Sequence, residues 1–105
     1  QFGLGVMYKN GWGVPQDDKT AVKWYKLAAK QGYARAQRYL GNMYYNGLGV
    51  LQDYVYAHMW WNIAALSGDK VASKNIERAE KMTPADLSTA QKLARECIRK
   101  KYKGC

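Results

Sequence analysis

The residues in this 105-residue chain whose types and spacing could do chemistry are few. There is one histidine, His58, and there are two cysteines, Cys97 and Cys105. His58 with Cys97 would make a base and a nucleophile if the fold brought them together. Ser67-Gly68-Asp69-Lys70 has the S-x-x-K spacing of serine β-lactamases and penicillin-binding proteins. In those enzymes the serine opens a helix, and S-D-N and K-T-G strings support it. Neither string occurs here, and Ser67 falls beside a glycine at the end of an apolar stretch. A single histidine and two cysteines eight residues apart do not match zinc-site spacings. No G-x-G-x-x-G, P-loop or H-E-x-x-H string is present. The expectation is therefore a non-enzyme with no catalytic residue, no cofactor and no metal. Trp60-Trp61 could form an aromatic ligand box, but core packing is the stronger reading.

Charge is the next signal. Lys and Arg number 17 against 8 Asp and Glu, giving +9. The excess is uneven: residues 1–69 carry +3 and residues 70–105 carry +6. Such a surface draws acidic partners and speeds their encounter, although a lysine-rich face also serves solubility alone. Nucleic acid is the weaker partner class. RNA-binding surfaces interleave basic residues with exposed aromatics, and the pattern below assigns nearly all aromatics to helix interfaces. No run approaches the ~20 apolar residues of a membrane span. Apolar residues at 48% are enough for a packed core.

These side chains must be positioned by a repeating element. Shifting the sequence by 36 aligns Leu4-Gly5-Val6-Met7-Tyr8 with Leu40-Gly41-Asn42-Met43-Tyr44. It also aligns Asn10-Gly11-Trp12-Gly13-Val14 with Asn46-Gly47-Leu48-Gly49-Val50, and Gln16-Asp17 with Gln52-Asp53. In all, 17 of 36 positions are identical. Each unit reads as helix, turn, helix, so the chain is all-α. Asp17 is a natural N-cap, and Gly32 sits where a left-handed C-cap residue belongs. Ala21, Trp24, Tyr25 and Ala28 form one stripe of the second helix, and Lys19, Lys23, Lys26 and Lys30 form the opposite one. His58 stands where unit one has Val22. Gly5 and Gly41 lie inside helices, where glycine costs about 1 kcal/mol against alanine. Close helix approach onto Ala28, Ala29, Ala64 and Ala65 would explain them.

The third unit departs from the pattern. Residues 70–82 read as an amphipathic helix through Val71, Ile76, Ala79 and Met82. Thr83-Pro84-Ala85-Asp86 replaces the glycine turn with a capping arrangement. A long helix over 84–101 follows, with Leu87, Ala90, Leu93, Ala94, Cys97 and Ile98 on one face. On the outer stripe of unit two, Val55, Met59, Asn62 and Leu66 replace the lysines of unit one. Three apolar side chains there need a cover, either the last helix and tail with Tyr102 or another chain. Val55, Met59 and Leu66 are thus a second candidate interface, and homo-oligomerisation stays open. Cys97 and Cys105 would lie about 12 Å apart on one continuous helix, too far for a disulfide. Gly104 lets the tail turn back, and a disulfide is expected. That bond implies an oxidising compartment, periplasmic or secreted; free thiols would imply the cytoplasm.

The string L-G-x-M-Y-x-N-G-x-G-V-x-Q-D, then A-x-x-W, A-A and G, resembles the Sel-one-like repeat, a helical hairpin related to the tetratricopeptide repeat. The M-T-P-x-D-L ending is similar to bacterial members. The resemblance covers units of about 1–36, 37–72 and 73–105 and implies a right-handed α-solenoid with a modified capping helix. It implies an adaptor or scaffold that binds proteins, here as the C-terminal part of a longer array. Gln1 matches Gln37, a position already inside a helix. Cysteine-rich relatives described as binding or hydrolysing β-lactams keep S-x-x-K as an enzyme alternative.

In repeats of this type the first helix of each unit lines the concave surface. Helical spacing then directs Phe2, Val6, Lys9 and Asn10 of unit one into the groove. Arg35, Arg38, Asn42, Tyr45 and Asn46 follow from unit two, and Val71, Lys74, Arg78 and Lys81 from unit three. Six of these are cationic and none is acidic. The groove is expected to take an acidic extended peptide or a C-terminal carboxylate of a partner protein.

Overall fold

The computed structural model describes residues 1–78 and 81–105. Among them are six helices and no strand: α1 (Phe2–Asn10), α2 (Asp18–Lys30), α3 (Ala34–Asn46), α4 (Tyr54–Leu66), α5 (Lys70–Glu77) and α6 (Pro84–Arg99). The chain is an α-solenoid 41 Å long, in which α1 packs on α2, α2 on α3, α3 on α4 and α4 on α5.

Local signals set the helix ends. Asp17, Asp53 and Asp69 each accept an amide hydrogen bond two or three residues into the following helix, from Thr20, Tyr56 and Ala72. Gly11 and Gly47 close α1 and α3 in the left-handed region, at φ 68° and 66°. Here an L side chain would be strained, so Asn-Gly ends the helix in both units. α6 begins as expected: Thr83 accepts from the Asp86 amide and Pro84 takes the first turn.

Gly5 and Gly41 do mark close approach, but the partners are aromatic rings rather than alanines. A Cβ on Gly5 would lie 2.7 Å from the Tyr25 ring, and one on Gly41 2.5 Å from Trp61. Tyr25 and Trp61 occupy the same repeat position, so each hairpin seats a flat ring where its facing helix has no side chain. Between the units, Gln37 is fully buried and donates to the Ala29 carbonyl at 3.0 Å.

The third unit differs from the sequence reading. α5 ends at Glu77 with a tightened turn, the Arg78 amide bonding the Asn75 carbonyl, so Met82 lies beyond it. Ala79 falls outside the described residues. α6 stops at Arg99 rather than 101 because the chain reverses: Lys101 and Tyr102 adopt positive φ, and the Tyr102 amide returns to the Cys97 carbonyl. Cys97 and Cys105 form a disulfide with a Cα separation of 5.9 Å. The reversal brings the Tyr102 ring against Gly32 of unit one, 3.8 Å from where a Cβ would stand.

α6 lies along α4, and Ala94 and Cys97 share a buried cluster with Met59, Trp60 and Ile63. Met59 is therefore unavailable to a partner, being covered within the chain, and Val55 is half-buried. Of that stripe only Leu66 faces outward, 69% exposed. Leu4, the counterpart of fully buried Leu40, is 38% exposed. No described helix is long and apolar enough to cross a membrane.

Candidate interaction site

Two cavities open along the first helices of the units. One, of about 250 Å³, is lined by Lys9 and Asn10 of α1, Tyr25 of α2, and Tyr39, Asn42 and Met43 of α3. The other, of about 310 Å³, is lined by Asn42, Tyr45 and Asn46 of α3, Trp61 of α4, and Asn75 and Arg78 at the end of α5. Lys9, Asn10, Asn42, Tyr45, Asn46 and Arg78 were expected to face one groove, and these two linings hold all six. Sequence reasoning missed the floor and far wall, Tyr25, Tyr39, Trp61 and Asn75. The signal was available, since 25 and 61, and 39 and 75, are equivalent positions of the repeat.

The floor is rigid. Trp61 is buried, and its indole N–H donates to Asn42 Oδ1 at 3.0 Å and to the Arg38 carbonyl at 3.2 Å. Tyr45 packs on Trp61 at 5.2 Å between ring centroids and on Tyr54 at 5.0 Å. Tyr25 is buried, and desolvation pushes its phenol up to about 12, so it stays neutral. Asn10 and Asn46 each donate to a carbonyl one turn back in their own helix, Val6 and Asn42. Their amide oxygens remain as acceptors.

Arg38 is placed differently from the expectation. Its Nε donates to Asp69 Oδ2 at 3.0 Å, pairing α3 with the N-cap of α5. Burial of Asp69 raises its pKa, but the Ala72 amide and Arg38 together outweigh that and hold the carboxyl below its usual range. Arg38 is thus a neutralised strut, its guanidinium stacked 4.9 Å over Tyr39. Arg35, Lys74 and Lys81 are exposed but line neither cavity, and Lys81 reaches over the Tyr54 ring at 5.8 Å. Phe2 packs against Tyr25, Tyr33 and Tyr39 instead of facing a ligand.

The catalytic alternatives do not assemble. Cys97 is in the disulfide and has no thiol. His58 is 1% exposed against the edge of Trp61, and burial lowers its pKa. Ser67 is the C-cap of α4, and its hydroxyl bonds Gln37 Oε1 and the Ile63 carbonyl, neither of which is a base. Trp60 and Trp61 are both buried, as packing requires.

A stack of helical hairpins with cavities along one row of helices defines a helical-repeat scaffold. The Sel1 repeat model matches residues 1–33 and 34–69, and the chain belongs to the Sel1 repeat family. Repeats of this family are generally protein-interaction modules. The chain is similar to a Sel1 repeat protein from Oxalobacter formigenes, with 40% identity and a TM-score of 0.72 over 73% of this chain and 58% of that one. It is also similar to a protective antigen present in uropathogenic Escherichia coli strains, which displays an SLR fold. That match has 34% identity and a TM-score of 0.88 over 96% of this chain. The chain spans 58% and 23% of the lengths of these two structures. No curated protein matches it.

Proposed function

We propose that the chain is a non-enzymatic protein-binding module whose groove, formed by the two cavities, takes an acidic extended segment of a partner protein. The observation that carries this reading is the lining itself. Each cavity joins a cation, Lys9 or Arg78, to aromatic floor and asparagine amides, and neither lining contains a carboxylate. Such a surface pairs charge with flat apolar contact, which suits carboxylates on a peptide chain. The surrounding +9 field brings acidic partners in. The disulfide supports a periplasmic or secreted setting, where it persists.

The test is a double charge reversal, Lys9→Glu with Arg78→Glu. Arg38 is left alone because reversing it would break the α3–α5 pair. Capture of cross-linked partners on the immobilised domain should vanish while circular dichroism stays helical. Capture that persists at low salt would move the binding surface elsewhere, with exposed Leu66 the first place to look.

A further inference from the structure

The last helix and the tail carry charge that the groove does not use. Between residues 92 and 103 stand Lys92, Arg95, Arg99, Lys100, Lys101 and Lys103, against the single carboxylate of Glu96. All six cations are exposed, and none lines either groove cavity. None is in an ion pair among the described residues. Lys92, Arg95 and Arg99 recur three and four residues apart, on the side of α6 away from buried Ala90, Ala94 and Cys97. The tail adds to them. Its reversal seats the Tyr102 ring against Gly32, which holds Lys101 and Lys103 beside the end of α2, where Lys30 stands. This loop is kept at a cost. Four cations fall within five residues, and Lys101 and Tyr102 are non-glycine residues at positive φ. Repulsion and backbone strain both oppose it. The disulfide and the Tyr102 seat hold it closed.

We propose that this surface docks the module on an anionic phospholipid bilayer, separately from the groove. What selects a bilayer is the apolar border of the cations. Exposed Leu66 of α4 shares a cavity of about 340 Å³ with Gln91, Ala94 and Arg95 of α6. Exposed Ile98 lies one turn beyond Arg95 and two beyond Gln91, on that same flank of α6. A bilayer answers both features at once: its phosphates pair with the cations, and its acyl boundary takes Leu66 and Ile98. A nucleic-acid backbone answers only the charge. Each cation close to an anionic membrane is worth about fivefold in affinity, and added salt screens that gain.

The experiment is cosedimentation at low salt with vesicles of phosphatidylcholine alone or of equimolar phosphatidylcholine and phosphatidylglycerol. The protein should partition onto the mixed vesicles at least about tenfold more strongly. The triple variant Lys100→Gln, Lys101→Gln, Lys103→Gln should lower that partition at least about tenfold. Lys19→Gln, Lys23→Gln and Lys74→Gln together remove the same charge from α2 and α5, and should lower it about threefold or less. Leu66→Ser should weaken vesicle binding severalfold and leave the affinity for single-stranded DNA unchanged. All three variants alter exposed side chains and should keep the circular dichroism spectrum of the parent. No partition onto the mixed vesicles would overturn the proposal. Equal losses in the two triple variants would assign binding to net charge and overturn it as well. Vesicle binding untouched by Leu66→Ser, or weaker than DNA binding, would make the surface a general polyanion site and overturn the bilayer as its partner.

Discussion

Units one and two share 17 of 36 residues, yet they meet different surroundings. Trp24 is half-buried while its counterpart Trp60 is fully enclosed, and exposed Leu27 corresponds to enclosed Ile63. The outer face of α2 carries lysines, whereas that of α4 lies under α6. A Cβ on Gly13 would meet only the Met7 methyl, at 3.8 Å, whereas one on Gly49 would abut the Asp18 carbonyl of the other unit. The hairpin code is local and identical in both. Which copy becomes core is decided by what packs on it, and substitutions such as lysine to methionine at Met59 follow that choice.

The largest contrast expected is between the paired tryptophans. Trp60→Ala should cost roughly 3–5 kcal/mol by urea unfolding, and Trp24→Ala well under half of that. Equal losses would show that burial does not separate the two units.

Reduction of Cys97–Cys105 tests whether the cover over unit two depends on the tail. A ring closed over eight residues is worth about 2–3 kcal/mol. The melting temperature should fall in a dithiol reductant, and a Cys97→Ser, Cys105→Ser variant should show no such response.

Gly49→Ala and Gly13→Ala both place alanine at positive φ, 72° and 75°. Each should lose roughly 1–2 kcal/mol for that reason. Gly49→Ala should lose about 1–3 kcal/mol more, because its Cβ would sit 2.5 Å from the Asp18 oxygen. Matching melting temperatures for the two variants would mean that the unit-to-unit contact yields without cost.

The smallest effect is that of pH. The unfolded chain protonates His58 near its ordinary value of about 6.5, whereas the buried folded form resists the proton to lower pH. The unfolded state thus binds more protons in that window. The contribution is complete above about 6.5 and is lost as pH falls, by at most about 1.4 kcal/mol per pH unit. His58→Val, which installs the unit-one residue, should flatten stability between pH 6.5 and 5. An unchanged slope would assign the acid sensitivity to other groups.

The repeat, the caps and the inner helix faces are legible in the sequence because each is set within a few residues: an aspartate before an apolar stripe, an Asn-Gly after it. The Arg38–Asp69 pair is not legible, since its partners are 31 residues apart and unit one has Tyr33 where Asp69 stands. The floor of each cavity comes from a second helix while its rim comes from first helices. A face-by-face reading finds the rim and misses the floor. The stripe on α4 shows that something must cover it, but the cover depends on the chain reversing at Lys101 and Tyr102, two non-glycine residues at positive φ.

That reversal has a mechanical consequence. A stack of hairpins touching only its neighbours behaves as a spring and frays from either end. Here the Tyr102 ring reaches past unit two to the Gly32 turn of unit one. The coil is therefore tied across its own length, and stretching it must first break that tie. Pulled between its termini, the chain should resist at low extension and then yield in one step, where an untied stack would unwind hairpin by hairpin.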